Sequence, residues 1–194
     1  MKSDKQIWND FIKGENYALS HIYFRHIQML FRYGKKFSQD DELIKDTIQD
    51  LFFDLIRTRK NLGETDNIRF YLMASFRRKL AKTINQKVPL EYTDDKEITA
   101  EIVYSFEHEL INKEELNQRE QAVKKALAAL SPKQREILYY KYTCSFDYEQ
   151  ICEIMKLRYD SARKQVSRAL KALKEVLDDS KLFLFFLGIF SVNK

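Results

Sequence analysis

The sequence predicts an all-α protein made of two small helical domains joined by an acidic linker. Three observations carry that prediction. Only 4 glycines and 2 prolines occur in 194 residues, too few punctuating residues for a turn-rich β or α/β fold. Apolar residues recur at three- and four-residue steps through most of the chain, the period of a helix with one buried face. Between Pro89 and Asn117 that period lapses and acids dominate, from Glu91, Asp94 and Asp95 to Glu114 and Glu115. The boundaries that follow are 1–88 for the first domain, 89–118 for the linker, 119–178 for the second domain and 179–194 for a tail.

The elements can be justified in order. Ile7, Trp8, Phe11 and Ile12 share one face of a short helix, and Gly14 suits its exit. From Asn16, the residues Leu19, Ile22, Tyr23, Ile27, Leu30 and Tyr33 keep a helical period that closes near Gly34. Ser38-Gln39-Asp40-Asp41 is a start signal: a hydroxyl for the cap, then acids facing the positive end of the helix dipole. The helix it opens carries Ile44, Ile48, Leu51, Phe52, Leu55 and Ile56 on its apolar stripe, with Arg57, Arg59 and Lys60 at the C-terminal end. After a loop containing Asn61, Gly63 and Asp66, a fourth helix is expected from Ile68 to Ile84.

In the second domain, Ala122, Val123, Ala126, Leu127 and Leu130 form one helical stripe. Ser131-Pro132-Lys133-Gln134 is a strong boundary: Ser caps, Pro fits the first helical position, and Gln reaches back to the cap N–H. That helix carries Ile137, Leu138, Tyr140 and Lys141. Asp147-Tyr148-Glu149-Gln150 repeats the logic for a short helix with Ile151, Cys152, Ile154 and Met155. A tight break at Lys156-Leu157-Arg158 leads into a last helix with Ala162, Val166, Ala169, Leu170, Leu173 and Leu177 inside. The tail holds LFLFFLGIF, residues 182–190, about half of the roughly 20 residues a bilayer span needs. It reads either as a segment that docks on protein, the chain's own domains or a regulatory protein, or as a helix end completing the core of the second domain, toward which Leu173 and Leu177 already lead.

Composition excludes several chemistries. The four glycines are far apart, so no phosphate-cradling glycine loop can be written. Cys144 and Cys152 lack the spacing of a zinc or redox pair and read as buried or free thiols in a reducing, cytoplasmic setting. His108-Glu109 begins a zinc-protease motif that fails because Asn112 stands at the second histidine position. The expectation is a chain with no catalytic residue, no metal, no cofactor and no small-molecule substrate.

Three constellations remain. Arg69 to Lys87 contains Arg69, Arg77, Arg78, Lys79, Lys82 and Lys87 without an acid, interleaved with Phe70, Tyr71 and Phe76. Cations that neutralise phosphates beside rings that stack bases suit melted nucleic acid, although the same stretch also reads as a solvated face over core aromatics. Asp147 to Lys174 has a helix-turn-helix outline whose second helix carries Arg163, Lys164, Arg168, Lys171 and Lys174 mostly off the apolar stripe. Such a helix fits the major groove, or the charged exterior of a bundle. Asp46, Gln49 and Asp50 sit three and four residues apart beside an apolar stripe, a surface for a basic helical partner or an ordinary solvated face.

The order of these pieces resembles an ECF-type sigma factor, of the sigma-70 family of transcription initiation subunits. DDELIKDTIQDLF (Asp40 to Phe52) is similar to the core-binding helix of sigma region 2, Asn67 to Lys87 to its promoter-melting helix, and LSPKQREIL…SARKQVSRALKAL to region 4. The resemblance implies a region 2 helical bundle and a region 4 helix-turn-helix, with core RNA polymerase and promoter DNA as partners and an anti-sigma factor as a regulator compatible with it. Core-binding residues would be Asp46, Gln49, Asp50, Phe52 and Phe53. Recognition and melting of the −10 element would fall to Arg59, Asn61, Arg69, Phe70, Tyr71, Arg77, Arg78, Lys79 and Lys82. On the −35 element, Arg163, Lys164, Ser167 and Arg168 would read the duplex while Ser161, Gln165 and Lys171 hold phosphates. The chain departs from the family pattern at Lys156, where glycine is common, at Arg158, where Ser or Thr caps the recognition helix, at Asp50, usually Glu, and at Gln165, commonly Arg. Two other readings stay open from the residues: a helix-turn-helix regulator that works without polymerase, and a helical scaffold or adaptor.

Overall fold

The computed structural model describes residues 2–87 and 125–177. The expected linker, 89–118, and the apolar tail lie outside the described residues. Among those described, every element is helical. The chain divides into two compact units, Met1–Thr99 and Ala100–Lys194, each with its own core.

The first unit contains α1 (Asp4–Lys13), α2 (Asn16–Gly34), α3 (Asp41–Thr58), a 3₁₀ turn (Arg59–Asn61) and α4 (Ile68–Lys87). Its centre is Trp8, Ile22, Leu30, Tyr33, Ile44, Leu51, Leu72, Met73 and Phe76, all essentially solvent-free. A capping box opens α1: the Gln6 N–H donates to Ser3 Oγ at 3.3 Å and the Ser3 N–H to Gln6 Oε1 at 2.9 Å. Gly14 closes it with φ 97°, a left-handed conformation that costs glycine little.

Gly34 also ends a helix, but for another reason. A Cβ there would stand 2.7 Å from Ile44 Cγ2, so the residue is small because α3 packs directly against it. At the start of α3 the expected Ser38 cap is corrected to Asp40, whose Oδ1 accepts the Leu43 N–H at 3.0 Å. Ser38 lies too far upstream to reach the first turn, and its Oγ instead accepts the Asp40 N–H at 3.1 Å. Ile56, expected on the buried stripe, is 45% exposed. The fourth helix runs on past Ile84 to Lys87.

In the second unit, residues 125–128 are helical. They are followed by α5 (Pro132–Leu138), a π turn (Tyr139–Thr143), α6 (Tyr148–Met155) and α7 (Tyr159–Val176). Ser131 and Gln134 form the expected capping box, with Pro132 in the first turn. Arg135 Nη1 donates to the carbonyls of Leu130 at 2.7 Å and Leu127 at 3.2 Å, the latter already accepting the Leu130 N–H, and so ties down the end of the preceding helical residues. The helix expected to carry Tyr140 and Lys141 widens into the π turn there, which the Cys144 N–H closes on the Tyr139 carbonyl at 3.0 Å. One turn earlier, buried Glu136 accepts the Tyr140 hydroxyl at 2.7 Å, pairing two buried polar groups. Both cysteines are free thiols. No described helix is long and apolar enough to cross a membrane.

Candidate nucleic-acid interface

The helix-turn-helix of the second unit is built by three local devices. Asp147 caps α6 in a reciprocal box: the Gln150 N–H donates to Asp147 Oδ1 at 2.7 Å and the Asp147 N–H to Gln150 Oε1 at 3.1 Å. Lys156 ends α6 in the left-handed region, φ 53° and ψ 45°. The Leu157 N–H then reaches back to the Cys152 carbonyl at 3.0 Å, the six-to-one closure of a Schellman turn. The chain re-enters helix at Tyr159, with Arg158 in the cap position but no side-chain bond from it.

That geometry turns α7 so that Ala162, Val166, Ala169 and Leu173 are buried. The opposite arc carries Ser161, Arg163, Lys164, Ser167, Arg168, Lys171 and Lys174, all exposed. Gln165 is half-buried at its edge, and Leu170, expected inside, is half-buried at the other edge. Asp160 and Glu175 bracket the arc near its ends, and Lys171 comes only to 4.0 Å from Glu175, an exposed contact of little energetic consequence. The result is a helix with a basic outer face more than three turns long, of a form that enters a major groove.

In the first unit, α3 presents Asp46, Gln49, Asp50 and Phe53 on one exposed face, with Phe53 66% exposed among the polar residues. Phe52 does not join them. It is 5% exposed and sets its ring edge-on against Tyr23 at 5.0 Å. Between α2 and α3 lies an open apolar groove of about 940 Å³ lined by residues including Tyr23, Phe24, Ile27, Gln49, Phe52, Phe53 and Ile56. Phe24 is 75% exposed there, so the sequence reading missed the groove: an apolar period shows which residues are apolar, not which helix leaves its flank uncovered.

The basic residues of α4 are divided. Tyr71, Arg78, Lys79 and Lys82 line a smaller cleft of about 360 Å³ with Leu51, Asp54, Leu55 and Thr58 of α3. Lys79 is already engaged, with its Nζ 2.6 Å from Asp54 Oδ2, and Arg57 Nη2 stands 2.9 Å from the other oxygen. The Lys79 hydrogen bond is the main cause holding the Asp54 carboxyl below the usual carboxylate range. Arg78 donates to Ser75 Oγ at 3.1 Å. Arg69, Phe70 and Arg77 are half-buried and do not line the cleft. Phe76, one of the aromatics interleaved with these cations, is wholly core. In the α3–α4 connection, Asn61 is exposed, whereas the Arg59 guanidinium lies beside Gly14, within 3.1–3.2 Å of where a Cβ would stand.

Residues 120–173 match the family model for sigma-70, region 4. Among solved structures, the chain is similar to "Structure of CnrH in complex with the cytosolic domain of CnrY", with a TM-score of 0.59 and 14% identity, covering 91% of this chain and 98% of that one. No curated protein matches the sequence. The match covers the helix-turn-helix just described, and the shared fold extends over both units. The second unit thus carries the sequence of a sigma-70 region 4, and the chain as a whole shares the all-α fold of CnrH.

Proposed function

We propose that this protein binds core RNA polymerase through the outer face of α3, docks α7 on the −35 element and uses the α3–α4 end of the first unit on the melted −10 element, so directing transcription initiation. The observation that carries the reading is the basic outer arc of α7 in a unit whose sequence matches region 4. Seven exposed polar or cationic residues face one way there, and the acids of α3 face out from a separate unit. Neither a duplex-only regulator nor a scaffold accounts for both.

Arg163, Lys164, Ser167 and Arg168 fall to base edges in this reading, and Ser161, Gln165 and Lys171 to phosphates. Gln165 has the least reach because it is half-buried. On α3, Asp46, Gln49, Asp50 and Phe53 make the polymerase contact, with Phe52 shaping the groove from beneath. Tyr71, Arg78 and Lys82 are the cleft residues for the displaced strand. Arg59, Asn61, Arg69, Phe70, Arg77 and Lys79 border that path. The protein acts by binding, in the cytoplasm, with no catalytic residue or cofactor of its own. A regulatory partner of the anti-sigma class belongs to the reading, since CnrH was captured with the cytosolic domain of CnrY.

The deciding experiment is in vitro transcription with core polymerase on a pool of genomic promoters. Start sites that require this protein support the reading; transcription no higher than core alone removes it. A paired test addresses α7. Losing a bidentate Arg–guanine contact costs about 1–3 kcal/mol and relaxes the preference at one base. Arg168→Ala should therefore change −35 base preference, while Lys174→Ala should weaken binding evenly across sequences. Unchanged footprints for both would mean that α7 is not the reader.

A further inference from the structure

The segment joining α3 to α4, residues 59–67, is the most irregular stretch of the first unit. It has only a 3₁₀ turn, then irregular chain with a bend at Asp66 before α4 begins. A loop of nine residues with exposed Asn61, Gly63, Glu64 and Asp66 has little packing of its own. Its conformation has to come from elsewhere.

It comes from α1. At the loop's entry, the Arg59 guanidinium lies against Gly14, just past the end of α1. At its middle, the indole N–H of Trp8 donates to the Gly63 carbonyl at 2.8 Å, and Trp8 is wholly buried. At its exit, Asp4 Oδ2 accepts the Ile68 N–H at 3.1 Å, joining Asn67 Oδ1, which accepts the Phe70 N–H at 2.9 Å. Asp4, Trp8 and Gly14 are spaced along one helix of ten residues and its cap, about 15 Å of rigid rail. Trp8 makes a further contact, its ring 4.7 Å from the ring of Tyr71. One buried side chain therefore holds both the loop and a half-buried aromatic of the −10 cleft.

We infer that Trp8 and Asp4 of α1 are positioning residues for −10 recognition, holding the 59–67 loop and Tyr71 in the conformation that discriminates bases in the melted strand. The inference rests on the reading of that loop and cleft as the −10 surface. Trp8 and Asp4 touch no nucleic acid in it; they act through Gly63, Ile68 and Tyr71. Lys5, whose Nζ lies 3.2 Å from Glu64 with both side chains more than half exposed, is an internal control and should contribute nothing.

The test uses full-length protein with core polymerase. It compares open-complex formation, read by permanganate reactivity of bubble thymines, on the preferred promoter and on the same promoter with one −10 base changed. The readout is the ratio between the two templates. Loss of folded protein lowers both rates alike and leaves the ratio unchanged, so a purely structural defect does not register. Trp8→Phe keeps a ring and removes the N–H; Asp4→Ala removes the acceptor; Asp4→Asn keeps an oxygen and serves as the rescue.

The expected result is a ratio that falls at least threefold in Trp8→Phe and Asp4→Ala, recovers in Asp4→Asn and does not move in Lys5→Ala, with the −35 footprint and core affinity unchanged. Asn61→Ala, on the loop itself, separates the two ways of failing. If Asn61→Ala lowers the ratio while folded Trp8→Phe and Asp4→Ala do not, the positioning role is overturned and the −10 reading stands. If none of the three lowers it, the loop is not a base reader, and the inference falls with that reading.

Discussion

Lys156 occupies a backbone conformation that lysine tolerates poorly. Its φ of 53° puts Cβ close to its own chain, a strain of roughly 1–2 kcal/mol that glycine avoids. Lys156 is exposed, so little is lost with its side chain. Lys156→Gly should stabilise the second unit by about 0.5–1 kcal/mol, after allowing for the greater freedom glycine has when unfolded, and raise its melting temperature by a few degrees. An unchanged or lower midpoint would show that the turn is not strained. His26 offers a second test. It is 7% exposed, and burial pushes its imidazole from the ordinary 6.5 down to about 4; Asp4 pulls upward, while Arg25, Arg69 and His21 push with the burial. The folded form therefore holds neutral histidine, and the unfolded chain binds the extra proton between about pH 6.5 and 4. This contribution is whole above pH 6.5 and declines as the pH falls through that window. The urea midpoint of wild type should drop relative to His26→Gln between pH 7 and 5. Parallel profiles would refute the assignment. The turn at Lys156 was legible in the sequence as a break after a capped apolar run. The burial of His26 was not, because a lone histidine on a helix carries no period.

At the scale of elements, what could be read in advance was what depends on neighbours in sequence. The boxes at Ser131–Gln134 and Asp147–Gln150 are complete within four residues, and the buried face of α7 repeats at three and four, so both were legible. What depends on a partner from afar was not. Gly34 reads as a helix stop, yet its lack of a side chain is demanded by Ile44 of the next helix. Asp54 and Lys79 stand on different helices, with nothing in their local sequence to join them, and prove to be a pair. Phe52 and Phe53 are adjacent and equally apolar, yet one is buried and the other exposed, a distinction set by the flank on which α2 packs. The exposed face of α3 supports a sharp prediction. Asp50 is exposed beside Asp46 and Gln49, and surface substitutions away from packed features usually shift stability by no more than about 0.5 kcal/mol. Asp50→Lys should leave the melting temperature of the first unit almost unchanged and lower core-polymerase affinity at least tenfold in a pull-down or anisotropy titration. Equal affinity would move the polymerase contact elsewhere on the unit.

The whole molecule carries its proposed tasks on two units with separate cores. Trp8, Tyr33 and Phe76 are buried in one, and Ile137, Tyr140 and Leu173 in the other. Each has its own helix caps. Both units should therefore fold alone, although domains of this size bury a smaller fraction of their surface than larger ones and are correspondingly marginal. Fragments 1–88 and 119–178 are expected to give separate cooperative melting transitions. Their activities should divide along the same line. The first fragment should bind core polymerase without protecting the −35 element. The second should bind −35 duplex weakly, with an affinity that falls linearly with the logarithm of salt concentration, because its basic arc acts on phosphates. Joining the two converts the second contact into an intramolecular one, which raises overall affinity by roughly 10²-fold or more without any new interaction. Polymerase holding the intact chain should thus occupy a promoter at concentrations where an equimolar mixture of the fragments does not. If the mixture matches the intact chain, covalent connection adds nothing and the units do not engage one promoter together. If either fragment lacks a cooperative transition, the division into two independently folding units is wrong.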